Sequence, residues 1–275
     1  MAVVIGIPAN CYAGPQEIRS GSIVVFRYSK EEVAIAGDSR RVDKAGTHDD
    51  QCKVFALSDK LVFGFAGVES VEGPGPLPQF DAVGDARTAA AALERAGVRA
   101  GFTQELAHAW TRKMSANFQA WPQETLRWAV GAMGGEPGLG CGVFAGLEAS
   151  GEVSVFLGRI VVRGTSPPNF GLTIKGEIDP APISEKVETG VCGRSDTAKE
   201  FVLGRSEQAA KEQRLWAKWR KIYGAAAESK IAIRLVELTV TLDHSGLVGG
   251  PVDAVELRKG SKVHWIQRKP SCPPD

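Results

Sequence analysis

A hydroxyl, a carboxylate, an amine and a glycine amide each sit at one end of a short apolar run near the N-terminus. Ser22 opens Ile23–Phe26, Asp38 ends Val33–Gly37, Lys53 begins Val54-Phe55, and Gly67 closes Val62–Ala66. The apolar runs read as strands, and antiparallel hairpins would bring their four end residues to one edge of a sheet. A serine hydroxyl needs a base before it can attack a carbonyl, and the resulting oxyanion needs donors. Ser22 would be the nucleophile, Lys53 the proton manager, Asp38 the charge that holds the lysine, and the Gly67 amide an oxyanion donor. That set of groups equips a site for nucleophilic attack on a carbonyl.

With these residues in place, the chain resembles a proteasome β-type subunit, or a bacterial relative, of the N-terminal-nucleophile (Ntn) hydrolase superfamily. In that family a Gly-Thr bond is cut and the freed threonine attacks; here the matching bond is Gly21-Ser22. Asp38, in Asp38-Ser39-Arg40, follows Ser22 by sixteen residues, and Lys53 precedes Gly67 by fourteen, as the family pattern asks. Two departures are visible: serine replaces threonine, and the nucleophile-to-lysine interval is one residue shorter. The resemblance covers nearly all of Ser22–Ile266 and is strongest over Ser22–Gly67. It implies three supporting residues. Ser195, in Gly193-Arg194-Ser195, matches a serine beside the nucleophile's amine, although a plain helix cap explains Ser195 or Asp196 equally well. Asp243, and Ser245 before Gly249-Gly250, match the family's aspartate and serine after a long helix. Singly, each of these residues has a plainer role as strand start, surface ion pair or turn; together, at family-like spacings, they favour a site.

The elements that must position these residues follow in order. Residues 22–68 predict two hairpins, and the Gly/Pro-rich stretch Glu69–Asp85 predicts a loop. Ala86–Ala96 and a segment capped by Thr103 predict helices, the second with Leu106, Trp110, Met114, Phe118 and Trp121 on one side as core. Ala129–Val162 predicts strands around a turn at Glu148–Gly151, and Arg163–Ile183 a connector. Helices at Glu207–Lys221 and Ala225–Leu242 precede strands at Pro251–Leu257 and Lys262–Ile266. Strands alternating with helix groups predict an α+β fold, which the resemblance refines to a four-layer α/β/β/α sandwich of two antiparallel sheets flanked by helices.

The division expected is residues 1–21 as a propeptide, an N-terminal arm or a signal remnant, 22–268 as the Ntn-hydrolase domain, and 269–275 as a flexible tail. Net charge is +1, so the balance recruits neither nucleic acid nor an acidic membrane, and no apolar run approaches the roughly 20 residues of a span. Five scattered cysteines suggest a reduced chain, and four histidines without ligand spacing suggest no metal. No cofactor is expected either: Gly140-Cys-Gly142 imitates a dinucleotide fingerprint, but a strand follows it where a helix N-terminus is needed. A cytoplasmic location is favoured, with export as the alternative if residues 1–13 are a truncated signal. The expected partners are a peptide or protein substrate and further copies of the chain, with Trp216, Trp219 and the Trp110–Trp121 stripe offering surface for self-assembly. Three functions stay open: a self-processing peptidase, an inactive structural subunit of a proteasome-like assembly, and an Ntn amidase acting on a small molecule.

Overall fold

The computed structural model describes residues 17–21, 23–43, 45–132, 138–164, 171–181, 184–193, 196–244, 246–270 and 272. Its N-terminal part holds β1 (Glu17–Gly21), β2 (Ile23–Tyr28), β3 (Glu32–Gly37), β4 (Arg41–Asp43), β5 (Gly46–His48), β6 (Val54–Ser58), β7 (Leu61–Glu72) and β8 (Phe80–Asp81). Three helices follow, α1 (Ala82–Arg95), α2 (Phe102–Gln119) and α3 (Gln123–Ala132). The middle returns to β9 (Gly138–Leu147), β10 (Val153–Gly164), β11 (Leu172–Pro180) and β12 (Glu188–Gly193). Then come α4 (Asp196–Leu203), α5 (Glu207–Tyr223) and α6 (Ala227–Leu242), and last β13 (Asp253–Arg258) and β14 (His264–Gln267).

The fold is mixed α+β, and every strand pairing among the described residues is antiparallel. One sheet runs β11-β10-β9-β7-β1-β4-β5, with β6 and β8 also paired to β7; the other runs β12-β2-β3-β13-β14. Side chains alternate across each strand, and both faces are covered, so β2 is buried at every residue and β7 at all but its last. In β7, Phe63 and Phe65 face the core around α1, α2 and α3, whereas Val62 and Ala66 join a second core with Val24, Phe26 and Ile35 of the other sheet. In β2, Ile23 and Val25 turn to a third core with Ile231, Leu235 and Phe201. Helix α2 packs on β9, β10 and β11, and α6 on β2, β3 and β13.

The aromatic stripe of α2 is core, as its spacing suggests: Trp110 is 0% exposed and packs edge-on against Phe63, Phe65 and Phe144. The same burial overturns the expectation that these rings supply assembly surface. Trp121 and Trp216 are buried too, and Trp219 packs against the core that holds Trp216.

Four local expectations are corrected. Strand β7 continues through Gly67 to Glu72, so Gly67 lies within a strand and not at its end. Helix α3 runs on through Ala129–Ala132, the start of the expected strand segment, and β11 lies in the expected connector. Thr103 lies inside α2, whose N-cap is Gly101. The four described cysteines are also bridged: Cys141–Cys192 ties β9 to β12, one strand from each sheet, and Cys52–Cys272 ties the start of β6 to the C-terminal segment. Scattered spacing misled because the pairs are 51 and 220 residues apart in sequence, and only the packed sheets bring them together.

Candidate active site

Asp38 is the hub. It follows β3, is 0% exposed, and its Oδ1 accepts the Ile23 amide at 3.3 Å. Its Oδ2 accepts the Gly249 amide at 2.9 Å and the Arg40 amide at 3.3 Å. Bonds from three separate segments converge because a buried carboxylate needs donors to offset its lost hydration. Arg40 grips Asp49 with two hydrogen bonds, at 2.7 and 2.9 Å, and reaches the Val248 carbonyl at 3.2 Å. Its hydrogen bond with Asp49 holds the Arg40 guanidinium above, and the Asp49 carboxyl below, their ordinary ranges. The Asp-Ser-Arg turn thereby anchors Val248 and Gly249.

Lys53 is also 0% exposed, yet Asp38 is not what holds it. Its Nζ pairs at 2.9 Å with Glu69 Oε2, and the Gln51 side chain donates to Glu69 Oε1. This corrects the expected Asp38–Lys53 pair. A lysine buried this deeply requires a bonded countercharge. Gly37 makes room for it, since a Cβ there would approach Lys53 Cβ to 2.9 Å.

Gly67 has φ +124°, and a Cβ on it would meet Gly140 Cα and Leu139 O at 2.5 Å. Glycine is therefore demanded here by conformation and by close packing against β9. In register, Gly67 faces Gly21 of β1 and Gly140 of β9.

Ser22, Ser195 and Ser245 lie outside the described residues. Their described neighbours converge: the chain leaves one sheet at Gly21 and enters the other at Ile23, and Ile23 is the register partner of Gly193. Asp243 caps α6, and its Oδ2 accepts the Val248 amide at 3.3 Å, one residue from the Gly249 amide that binds Asp38. Bonds and register thus tie Asp38 to Ile23 and Gly249, Ile23 to Gly193, and Asp243 to Val248, while Lys53 immediately precedes β6 and Gly67 lies in β7.

Three charged residues here were not singled out in the sequence. Glu69 left a signal, a lone carboxylate within the apolar run of β7. Asp253 is 0% exposed, pairs in register with Gly37, and binds Lys269 Nζ at 2.7 Å. Lys269 itself is buried, and burial pulls its amine below the usual lysine range, with Asp253 opposing that shift. The expected fraying of 269–275 accordingly fails for Lys269 and Cys272, one held by a buried ion pair and the other by a disulfide. Cys52, Asp253 and Cys272 have ligand-type atoms within 4.8 Å of one another. Both sulfurs are spent in the bridge and an ammonium occupies the carboxylate, so this group does not offer a cation three free ligands.

No helix of the described residues is long and apolar enough to cross a membrane. Neither a scan against protein-family models nor a search of curated proteins finds a match to this chain.

Proposed function

We propose that this chain is a self-processing Ntn hydrolase of the four-layer α/β/β/α type, cutting its own Gly21-Ser22 bond and then peptide substrates with Ser22. The observation that carries the reading is β1. It lies between β7 and β4, antiparallel to both, with Gly21 opposite Gly67 and Arg41. An extended peptide is held there by strand addition, with its last residue beside the glycine assigned as oxyanion donor. The segment that processing removes therefore already occupies the place of a substrate. The three apolar cores support the layered fold, and the convergence on Asp38 supports the site.

In this mechanism the cut frees the Ser22 α-amine, whose reference pKa of ~7.7–8.0 suits a general base near neutrality. The amine takes the hydroxyl proton as Oγ attacks the carbonyl carbon and gives it to the leaving amine as the C–N bond breaks; water, deprotonated by the same amine, then attacks the ester, releasing the acid and restoring the Ser22 hydroxyl. Lys53, paired with Glu69, favours a neutral α-amine and stabilises the developing oxyanion. Asp38 orients the start of β2 that carries the nucleophile. No cofactor enters these steps, and self-assembly of the chain is not needed for them.

Intact-mass analysis of the protein from its own source tests this: loss of residues 1–21 is expected, and Ser22→Ala should retain them. A native chain that keeps Met1 would overturn the enzyme reading. A structural subunit would then take its place, which the two-sided pairing of β1 also favours.

A further inference from the structure

The C-terminal segment returns to the site by a route that the proposed mechanism does not use. Lys269 is 5% exposed; its amide donates to Asp253 Oδ1 at 2.9 Å and its Nζ binds Asp253 Oδ2 at 2.7 Å. The same Nζ donates to the Gln51 carbonyl. Three residues on, the Cys272 amide bonds back to the Lys269 carbonyl at 3.1 Å, and Cys272 is disulfide-bonded to Cys52. Gln51, Cys52 and Lys53 are consecutive. The Gln51 amide donates to the Ser39 carbonyl, its side chain donates to Glu69, and Glu69 holds Lys53. A continuous path of bonded groups thus runs from Lys269 to Lys53, and the disulfide closes it from the other side.

We propose that this segment is a disulfide-held strap whose Lys269 is a positioning residue for Gln51–Lys53, and that reducing Cys52–Cys272 releases it. A buried ammonium stays in place only while the backbone that carries it is held, because ordering that backbone costs conformational entropy. The bridge supplies that constraint three residues away. In the release step a dithiol attacks one sulfur of the bridge and then closes into its own disulfide. Two electrons pass to Cys52 and Cys272, and each leaves as a thiol after taking a proton. The role of Lys269 in catalysis rests on the function proposed above, whereas its placement and release do not.

The test is competitive amine labelling of the folded full-length chain, read by peptide mass spectrometry. In the oxidised protein Lys269 and Lys53 should both resist an acylating reagent. In Cys272→Ser, or after dithiothreitol, labelling of Lys269 should rise about ten-fold or more as the segment opens. Lys269→Met should raise labelling of Lys53, and Lys269→Arg should restore its protection. Circular dichroism checks that each variant is folded; if Cys272→Ser is not, dithiothreitol treatment of Cys141→Ala with Cys192→Ala, in which Cys52–Cys272 is the bridge reduced, decides. Equal labelling of Lys269 in oxidised and reduced protein overturns the strap, and unchanged Lys53 labelling in Lys269→Met overturns the positioning role. Loss of residues 1–21, followed in the same samples with Ser22→Ala as control, reports separately on the hydrolase reading.

Discussion

Glu69 and Gly67 lie two residues apart on one strand and make opposite demands. Removing the Glu69 carboxylate leaves the Lys53 ammonium buried without its ion-pair partner, so Glu69→Ala should cost about 3–5 kcal/mol in a denaturant titration. Replacing both partners with apolar side chains, as in Lys53→Met with Glu69→Leu, should recover most of that stability while removing the site's cation. Little change in Glu69→Ala would show that Lys53 is stabilised some other way. Gly67→Ala acts through the backbone: at φ +124° and 2.5 Å from β9 there is no space for a methyl group. We expect a loss of at least about 2 kcal/mol, read as a lowered thermal midpoint.

At the scale of elements, α6 and the β2-β3-β13 face are locked together by a buried charge cluster. Arg27 of β2 binds Glu228 of α6 at 2.6 Å, and Arg220 of α5 binds the same carboxylate at 2.8 Å. Glu32 of β3 belongs to this cluster, and burial raises its pKa from 4.5 to about 6. Arg258 and Arg27 oppose the shift, whereas Glu228 and Glu256 add to it. Because the folded pKa is the higher one, the neutral form is favoured in the fold. The stability this contributes is complete below pH 4.5 and is lost as pH rises through about 6. The loss amounts to about 2 kcal/mol. Glu32→Gln should remove it, so the variant's stability should fall less than wild type's between pH 4.5 and 7 in urea titrations.

For the whole molecule, Cys141–Cys192 joins the two sheets across 51 residues of chain. A bridge of that span restricts the unfolded chain by about 2–4 kcal/mol, so Cys141→Ala with Cys192→Ala should unfold at correspondingly lower denaturant. An unchanged midpoint would mean that sheet packing alone sets the stability. Two bridges also remove the basis on which a reducing, cytoplasmic setting was favoured, since such bonds persist mainly in oxidising compartments.

The central strands β2, β3, β6 and β7 and the helices α1, α2, α5 and α6 were legible because apolar periodicity is a local property of the chain. Asp38, Lys53 and Gly67 were legible as residue types at family-like spacings. Strand β11 was not legible: it is an edge strand with only Ile174 buried, whose conformation comes from its long register with β10. Strand β1 was missed for a similar reason, since its pairing to β7 and β4 is what makes it a strand. The partner of Lys53 was misassigned because a charge pair depends on which strands become neighbours, and β7 brings Glu69 to Lys53 while Asp38 turns to Ile23 and Gly249. Local pattern in the sequence determined the elements and the chemical types at their ends. Only the tertiary structure decided that Lys269 and Cys272, at the far end of the chain, close over the same site, because long-range charge and sulfur pairs leave no local periodicity to read.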